Sequence, residues 1–408
     1  MKERIKRITG FLGLKRSIVG LLAMVVLLGM GERMAERFLP IYIMALGGGA
    51  IAIGILSGLT NLLGALYSFP GGYLADRIGT KRSLLVFNAM AIGGYLIVIA
   101  VPSWQAVIIG SILFLSWTAI SLPATMGLVS QVLPKNKRTM GVTLHSLVRR
   151  FPMALGPVIG GFFIAFWGER EGVRYAFICA LALAAVSAIV QQLLIEDSGK
   201  KNEATANPLS MLALMSPALK RLLIADILIR FCEQIPAAFV VVWCMKAITH
   251  PVSAVQFGVL TSVEMATAIL IYIPVAYFAD KGSKKPFVVM TFVFFTLFPV
   301  TLWLSHSFVP LIFAFVIRGL KEFGEPTRKA LIMDLAPENR KAAMFGTYYL
   351  LRDVVVTAGA FGGALLWNIG PAVNLFAAFA FGCAGTIWFA LKGSDLSAEQ
   401  RAAAGASR

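Results

Sequence analysis

The chain has 408 residues, of which 58% are hydrophobic and only 14% are charged. Soluble domains average about 25% charged residues, so this composition excludes an ordinary soluble protein and indicates a membrane protein. The formal net charge of +17 is also that of many nucleic-acid-binding proteins. Here, however, the basic residues gather in short connections between apolar stretches, and we expect no nucleic-acid partner.

Twelve apolar stretches are long enough to cross a lipid bilayer as helices, which takes about 20 residues each. In chain order the predicted spans are 18–45, 50–73, 83–101, 104–133, 139–167, 173–195, 217–246, 252–279, 286–304, 308–333, 342–368 and 371–391. The sequence therefore predicts an all-α membrane protein with twelve transmembrane helices. Its basic N-terminal stretch leads straight into a full-length span, so we expect no cleaved signal peptide.

Lysine and arginine are concentrated before the first span and in the even-numbered connections. Their clusters lie at Lys2–Arg16, Arg77–Arg82, Lys135–Arg138, Lys200–Lys201, Lys281–Lys285 and Arg340–Lys341. The opposite connections carry few basic residues. The positive-inside rule then predicts that both termini are cytoplasmic, and we expect the protein in the plasma membrane.

The second part of the chain repeats the first. The matching pairs are Arg33 with Arg230, Glu36 with Glu233, Asp76 with Asp280, and Arg149 with Arg352. We predict two pseudo-symmetric six-helix halves, 1–195 and 217–391, around a central cavity. A cytoplasmic linker (196–216) joins them and a cytoplasmic tail (392–408) follows. Transporters built from such repeats bind their substrate near mid-membrane, between the repeats.

The stretch "GGYLADRIGTKRS" (71–83) resembles the signature between the second and third helices of the major facilitator superfamily. The matching residues are Gly72, Leu74, Ala75, Asp76, Arg77, Gly79, Lys81 and Arg82. The resemblance covers nearly the whole chain and implies a secondary transporter that works by alternating access. It implies that Asp76 closes the cytoplasmic side against the start of the eleventh helix, with Asp280 as a weaker counterpart. The alternative is that these charges only set the topology.

The fifth predicted span contains "LGPVIGGFF", in which Gly156, Pro157, Gly160 and Gly161 resemble an element of antiporters in this superfamily. The resemblance to its drug/proton antiporter branch implies export of small amphipathic organic compounds in exchange for protons. The alternative for these glycines is close helix packing. Efflux members also carry an arginine in the fourth helix, which is missing here; the tenth span has Arg318 instead.

Charged residues lie on single faces of the first, seventh and tenth predicted spans. An isolated charge at the bilayer centre costs at least about 2.5–3.5 kcal/mol, so these faces must meet water or one another. In this superfamily these helices line the central cavity. The candidate acids are Glu32, Glu36, Asp226, Glu233, Glu264, Glu322 and Glu325, and the candidate bases are Arg33, Arg37, Arg149, Arg230, Arg318, Lys321 and Arg352.

Two roles remain open for these residues. Many acids and bases are three or four residues apart and can simply neutralise each other. Alternatively, some acids carry protons and some bases hold an anionic substrate. Glu32 is our first candidate for the titrating acid, and we expect Glu36 and Glu233 to pair with the arginines of their own helices.

No Walker loop, zincin motif or nucleophile elbow appears, so we expect neither ATP-driven transport nor an enzyme. We also expect no cofactor, no metal, no catalytic residues and no disulfide between the four scattered cysteines. The expected partners are a small-molecule substrate, protons as the coupling ion and the lipid bilayer, with the protein as a monomer. The alternative substrate is an anionic metabolite or lipid-like anion, in uptake, exchange or flipping, because arginines are numerous in the spans.

The signature generates a direct prediction for Asp76. Asp76→Asn should leave folding and surface expression largely intact but impair transport, because the amide loses the charge that attracts a helix N-terminus. Transport assays at matched expression levels test this. Normal transport by a well-expressed mutant would show that Asp76 has no gating role.

Overall fold

The computed structural model describes residues 16–114, 138–195, 213–279, 283–337 and 341–395. All the regular secondary structure in these ranges is helical. Eight of the helices there are long and apolar enough to cross a membrane, or nine when one bent pair is counted as a single span. The described cysteines are all free thiols.

In chain order the first half contains α1 (Arg16–Glu36), α2 (Leu39–Ala45), α3 (Ala50–Ile78), α4 (Thr80–Ala100), α5 (Trp104–Phe114) and α6 (Arg138–Leu194). The second contains α7 (Pro217–Ala237), α8 (Val240–Val242) with a π-helical turn (Trp243–Ala247), α9 (Ala254–Ala279), α10 (Lys285–Trp303), α11 (Phe308–Leu320), α12 (Glu325–Leu335), α13 (Lys341–Ile369) and α14 (Pro371–Lys392).

The three charged spans are each broken, which corrects the prediction of one continuous helix for each. Span one divides into α1 and α2, and span ten into α11 and α12. Span seven bends by 43° between α7 and the segment Val240–Ala247. The hydropathy pattern continues through the breaks, so the pattern by itself gives no sign of them.

Proline supplies the physical reason for the breaks. A proline inside a helix has no N–H to donate, and its ring clashes with the carbonyl four residues earlier. Pro40 and Pro326 lie in the first turns of α2 and α12, where a missing N–H costs nothing. The carbonyls that they would meet in a continuous helix belong to Glu36 and Glu322. Pro236 lies at the end of α7, beside the bend in span seven.

The other predicted spans differ from the structure in their bounds. The second span continues to Ile78, into the signature. Spans five and six both lie within α6. The helical geometry of α6 is interrupted at Gly168, where φ is 76°. A φ in this range favours glycine, so Gly168 makes the turn between them. Of the fourth span, only Trp104–Phe114 lies inside the described residues.

The chain forms two compact units. The described residues of the first lie within Met1–Ala204 and Val252–Ser262, and those of the second within Thr205–Pro251 and Val263–Arg408. The core of the second unit joins α7, α10, α12, α13 and α14 through Leu222, Phe292, Leu331, Tyr348 and Phe389.

In the first unit, α1 and α6 approach each other at glycines. A Cβ added at Gly156 would lie 2.6 Å from the Cβ of Arg33. A Cβ added at Gly160 would overlap the backbone of Met34, and one at Gly31 would lie 2.9 Å from the Cα of Ala180. At its charged end, the backbone of α1 therefore lies close to α6. Larger residues at these glycine positions would separate the two helices.

This contact predicts the effect of a single methyl group. Gly160→Ala should lower the stability of the purified protein by about 1–3 kcal/mol, because the methyl group overlaps the backbone of α1. Gly64→Ala is the matched control, since a Cβ there meets nothing within 4 Å. The apparent melting temperature in detergent is the measurement, and equal melting temperatures for the two variants would contradict the close packing.

Candidate functional site

The first unit holds a small ion-pair cluster at the end of α1. Arg33 donates a hydrogen bond to the carboxylate of Glu36, one helical turn away. Its other terminal nitrogen lies 3.7 Å from Glu32. Glu32 is 4% exposed, whereas the Arg33 and Glu36 side chains are 14% and 24% exposed. Arg33 therefore pairs closely with Glu36 and only loosely with Glu32, while Arg37 lies half-buried in the break before α2.

Arg149 on α6 adds a further positive charge to this cluster. Its guanidinium is within electrostatic range of Glu32, Arg33 and Glu36. The described residues provide it with no ion pair closer than 4 Å. The cluster therefore combines two acids of α1 with a base from a neighbouring helix.

The second unit holds a larger network, which begins at Asp226 on α7. Asp226 is fully buried and is paired with Arg328 of α12. Its other carboxylate oxygen lies 3.4 Å from Arg352 of α13 and accepts a hydrogen bond of 3.1 Å from the hydroxyl of Tyr348. Three helices thus meet at one carboxylate.

Arg328 carries the network on to Glu325. It donates hydrogen bonds of 2.6 to 3.1 Å to both carboxylate oxygens of Glu325. Glu325 also lies 3.5 Å from Arg230 of α7. A two-pronged contact between a guanidinium and a carboxylate is among the strongest ion pairs in proteins. Arg328 is 1% exposed, so this contact lies in the interior of the unit.

The other end of the network surrounds Glu233. This carboxylate is 2.5 Å from Arg230 and 2.8 Å from Lys321, which lies in the break between α11 and α12. Lys321 is also 3.5 Å from Glu264 of α9, and Glu264 is 3.4 Å from Arg318 of α11. The chain of ion pairs thus runs without interruption from Arg352 to Arg318.

The network joins most of the predicted charged residues of the second half. Among the residues that the structure describes, five bases and four acids share it: Arg230, Arg318, Lys321, Arg328 and Arg352 with Asp226, Glu233, Glu264 and Glu325. Two partly exposed residues are paired at its edges, Asp353 with Arg352 and Lys329 with Glu325. Glu322, also a candidate, lies half-buried in the same break as Lys321.

Two members of the network were missed by the sequence prediction of the site. Neither Arg328, on the charged face of span ten, nor Tyr348 is among the predicted site residues. Arg328 lies three residues after Glu325, and that spacing could have indicated the pair. Nothing in the sequence pairs Tyr348 with Asp226, because the contact joins helices far apart in the chain.

Several of the predicted charged residues are deeply buried. Asp226, Glu264 and Arg328 are at most 1% exposed, and Glu32 is 4% exposed. Isolated charges at such depth would be costly. In the structure, ion pairs within each unit compensate for this cost. For these residues, the contacts support the alternative that acids and bases neutralise each other.

The signature between spans two and three is described in part. Gly72 belongs to α3, while the side chain of Asp76 and the whole of Asp280 lie outside the described residues. Gly79 has φ 88° and makes the turn into α4, a conformation that favours glycine. Lys81 donates a hydrogen bond of 2.8 Å to the carbonyl of Gln192 at the end of α6, and Arg77 and Arg82 are exposed.

A carboxylate does stabilise a helix start in the second unit, but it comes from Asp395. Its oxygen accepts hydrogen bonds from the hydroxyl of Ser283 and from the backbone N–H groups of Lys284 and Lys285, at 2.5, 2.6 and 3.1 Å. These groups lie at the start of α10, and a negative charge is favourable at a helix N-terminus. Asp395, which follows α14, thus anchors the start of α10.

The antiporter-like glycines serve close packing on two sides of α6. Gly156 and Gly160 face α1 at Arg33 and Met34. A Cβ at Gly161 would lie 2.6 Å from the carbonyl oxygen of Ala254. On the same side, a Cβ at Gly258 would lie 2.6 Å from the carbonyl oxygen of Pro157. These contacts support the helix-packing alternative for the glycines and do not bear on the transport direction.

Comparison with known proteins places this architecture in a family. The model of the Major Facilitator Superfamily matches residues 21–249 and again residues 222–406. The chain belongs to the Major Facilitator Superfamily. The two overlapping matches also show that each half of the chain resembles the family separately.

Three proteins that are distant in sequence are similar over most of the chain. The uncharacterized MFS-type transporter MJ1317 of Methanocaldococcus jannaschii is 21% identical over 360 residues, which are 84% of this chain and 86% of that protein. A POT family transporter in complex with 5-aminolevulinic acid is similar in structure, with a TM-score of 0.78, 15% identity, and coverage of 94% of this chain and 96% of that one. A point mutant of the nucleoside transporter NupG has a TM-score of 0.75, 15% identity, and coverage of 91% and 99%.

The family and the structural similarity confirm the prediction of an all-α membrane transporter that is not an enzyme. A superfamily transporter acts on a small-molecule substrate, and this chain is an integral membrane protein. At these identities the similar structures establish the fold alone.

Asp226 generates the prediction for this network. Asp226→Asn should lower stability by about 3–5 kcal/mol, because it leaves Arg328 and Arg352 buried with one negative charge fewer. Glu171→Gln is the control, since Glu171 pairs with Arg170 and Arg174 at 46% exposure and exposed pairs contribute about 0–1 kcal/mol. Thermal unfolding in detergent measures both, and a shift no larger than that of the control would show that Asp226 does not hold the network.

Proposed function

We propose that the protein is a secondary active transporter that couples the movement of small amphipathic organic compounds to protons by alternating access. The observation that carries this proposal is the repeated acid–base element. Arg33 pairs with Glu36 in the first unit, and Arg230 pairs with Glu233 in the second. Each pair lies on the helix that precedes the break in its span, α1 or α7.

Ion pairs of this kind can connect protonation to conformation. Burial disfavours the charged form of a carboxylate, and a nearby base favours it. A movement that separates the acid from its base leaves only the effect of burial, so the acid then takes up a proton. A movement that restores the pair releases the proton on the other side of the membrane.

Glu32 is the acid that we assign to proton coupling. It is 4% exposed, and its contact with Arg33 is 3.7 Å long. Glu233, by comparison, is held by two bases at 2.5 and 2.8 Å. A carboxylate held that tightly by two bases is suited to maintaining structure, whereas Glu32, at 4% exposure in the smaller cluster of the first unit, is the candidate for proton exchange.

Export in exchange for protons is the first candidate direction. A neutral or cationic amphipathic compound would compete with protons for the same acids, so substrate would leave as protons enter. The resemblance of "LGPVIGGFF" to the antiporter element supports this candidate.

Transport of an organic anion is the second candidate, favoured by the number of arginines in the network of the second unit. The network there contains five bases and four acids among the described residues, and its partly exposed pairs add one charge of each sign. An anion that binds one of these bases leaves an acid without its partner. That acid then takes up a proton, so anion and proton would travel together in the same direction.

The sign of the proton exchange on binding distinguishes the two candidates. Purified protein in weakly buffered detergent is titrated with cationic, neutral and anionic amphipathic compounds while the pH is recorded. Proton release on binding supports exchange, and proton uptake supports the anion candidate. Proton coupling would be contradicted if binding exchanged no proton and the transport rate did not change with a pH gradient.

Glu32→Gln tests the assignment of the coupling acid. In proteoliposomes this variant should abolish transport driven by a pH gradient while retaining substrate binding or exchange, because the amide does not titrate. Glu171→Gln, at an exposed acid, is the control. Gradient-driven transport at the wild-type rate in Glu32→Gln would show that Glu32 is not the coupling acid. Glu264 and Glu322 would then be the next candidates.

A further inference from the structure

A small cavity lies inside the second unit, beside the bend in span seven. Its walls come from α7, α8, α10, α11 and the break before α12. The lining residues are Cys232, Glu233, Ala237, Val240, Phe295, Phe298, Arg318 and Lys321. The centre of a water molecule can occupy a volume of about 10 Å³ there. One water molecule needs about that much room, whereas an organic compound needs far more.

The cavity wall includes hydrogen-bond donors that the protein itself does not use. The side chain of Arg318 is 8% exposed, and its Nε lies 3.4 Å from Glu264. Within the described part of the chain, the two terminal nitrogens of Arg318 donate no hydrogen bond, yet neither is fully enclosed by protein. A buried donor without an acceptor costs free energy, because it has lost its hydration. A water molecule in the cavity can supply the missing acceptor.

The acid on the wall, Glu233, can accept a further hydrogen bond. Its Oε2 accepts one from Arg230 at 2.5 Å, and its Oε1 accepts one from Lys321 at 2.8 Å. An ionised carboxylate has about four positions at which it can accept hydrogen bonds. A water molecule that accepts a hydrogen bond from Arg318 can therefore donate one to Glu233.

Aromatic rings hold the two bases in position at the cavity. The central carbon of the Arg318 guanidinium lies 5.1 Å from the ring centre of Phe298. The Nζ of Lys321 lies 5.8 Å from the ring centre of Phe295. Cations favour the faces of aromatic rings at such distances. A water molecule in the cavity thus meets apolar ring surface together with charged groups that are fixed in place.

A bridging water would close this end of the ion-pair network into a ring. Lys321 lies 2.8 Å from Glu233 and 3.5 Å from Glu264. Glu264 in turn lies 3.4 Å from Arg318. The water would complete the circuit from Arg318 back to Glu233. The ring would then connect α7, α9 and α11 with the break that follows α11.

We propose that this cavity binds one ordered water molecule, which accepts a hydrogen bond from a terminal nitrogen of Arg318 and donates one to Glu233. Because Glu233 lies near the end of α7, the water positions Arg318 relative to the bend in span seven. It is bound whatever compound the protein transports, so the water site goes beyond the proposed function and does not depend on it.

Radiolytic labelling detects the water directly. Hydroxyl radicals formed from a bound water oxidise the side chains beside it, even where those side chains are buried. The full-length protein in detergent receives a short X-ray pulse, and mass spectrometry compares the oxidation of Cys232 with that of Cys244. Both thiols are free and buried, at 1% and 0% exposure, but Cys232 lines the cavity and Cys244 does not.

We expect Cys232 to be oxidised at least about fivefold faster than Cys244, because a bound water lies beside it. Equal rates of oxidation would overturn the water site. This comparison uses the wild-type protein, so it does not depend on the folding of any variant.

Ala237→Val and Ala237→Thr test what the water does. Both side chains branch at Cβ and would take the place of the water, but threonine carries a hydroxyl that can accept a hydrogen bond. Valine would leave the terminal nitrogens of Arg318 without an acceptor. Ala237→Val should therefore abolish the excess oxidation of Cys232. It should also melt about 2 °C or more below Ala237→Thr, because a buried donor is left without its partner.

The same two substitutions at Ala266, which is exposed on α9, are the matched control. They measure the difference between valine and threonine outside the cavity. A difference at position 237 no larger than at position 266 would show that no water bridges Arg318 and Glu233. A higher melting temperature for Ala237→Val than for the wild type would mean that the substitution fills a cavity without water, which also contradicts the proposal.

Discussion

Arg328 lies between two carboxylates in the interior of the second unit, at 1% exposure, and the arrangement of that unit depends on this contact. Asp226 comes from α7 and Glu325 from the first turn of α12. Because a buried guanidinium with a missing partner is costly, the two helices cannot separate without losing this compensation. Tyr348 and Arg352 bring α13 to the same carboxylate, so three predicted spans share one charge centre.

The helix breaks determine where such charge centres form. A broken span leaves backbone groups without helical partners, and nearby groups must satisfy them. At the break in span ten, the N–H of Gly324 donates a hydrogen bond of 2.6 Å to the hydroxyl of Thr291 on α10. The same break carries Lys321, which reaches the acids of α7 and α9. A straight helix would place Lys321 and Glu325 on one face, whereas the break lets them contact different neighbours.

The two units use the repeated Arg-x-x-Glu element in different surroundings. In the first unit, Arg33 has Glu36 and the looser Glu32 as partners. In the second, Arg230 and Glu233 are embedded in a network that reaches Arg352 in one direction and Arg318 in the other. The same motif therefore lies in a small cluster in the first unit and in an extended network in the second.

The sequence alone determined the class of the protein, because about 20 consecutive apolar residues are the length of a helix that crosses a bilayer, and the chain has many such stretches. It also determined the short-range pairs, since Arg33 with Glu36 and Arg230 with Glu233 are neighbours on any helix. The tertiary structure decided which distant residues complete each site. A hydropathy pattern does not change where a proline breaks a helix, so it does not reveal the break. No spacing in the chain indicates that Arg318 and Phe298 line one cavity. Those contacts depend on how helices pack, and packing is set by the shapes of many side chains together rather than by any local pattern.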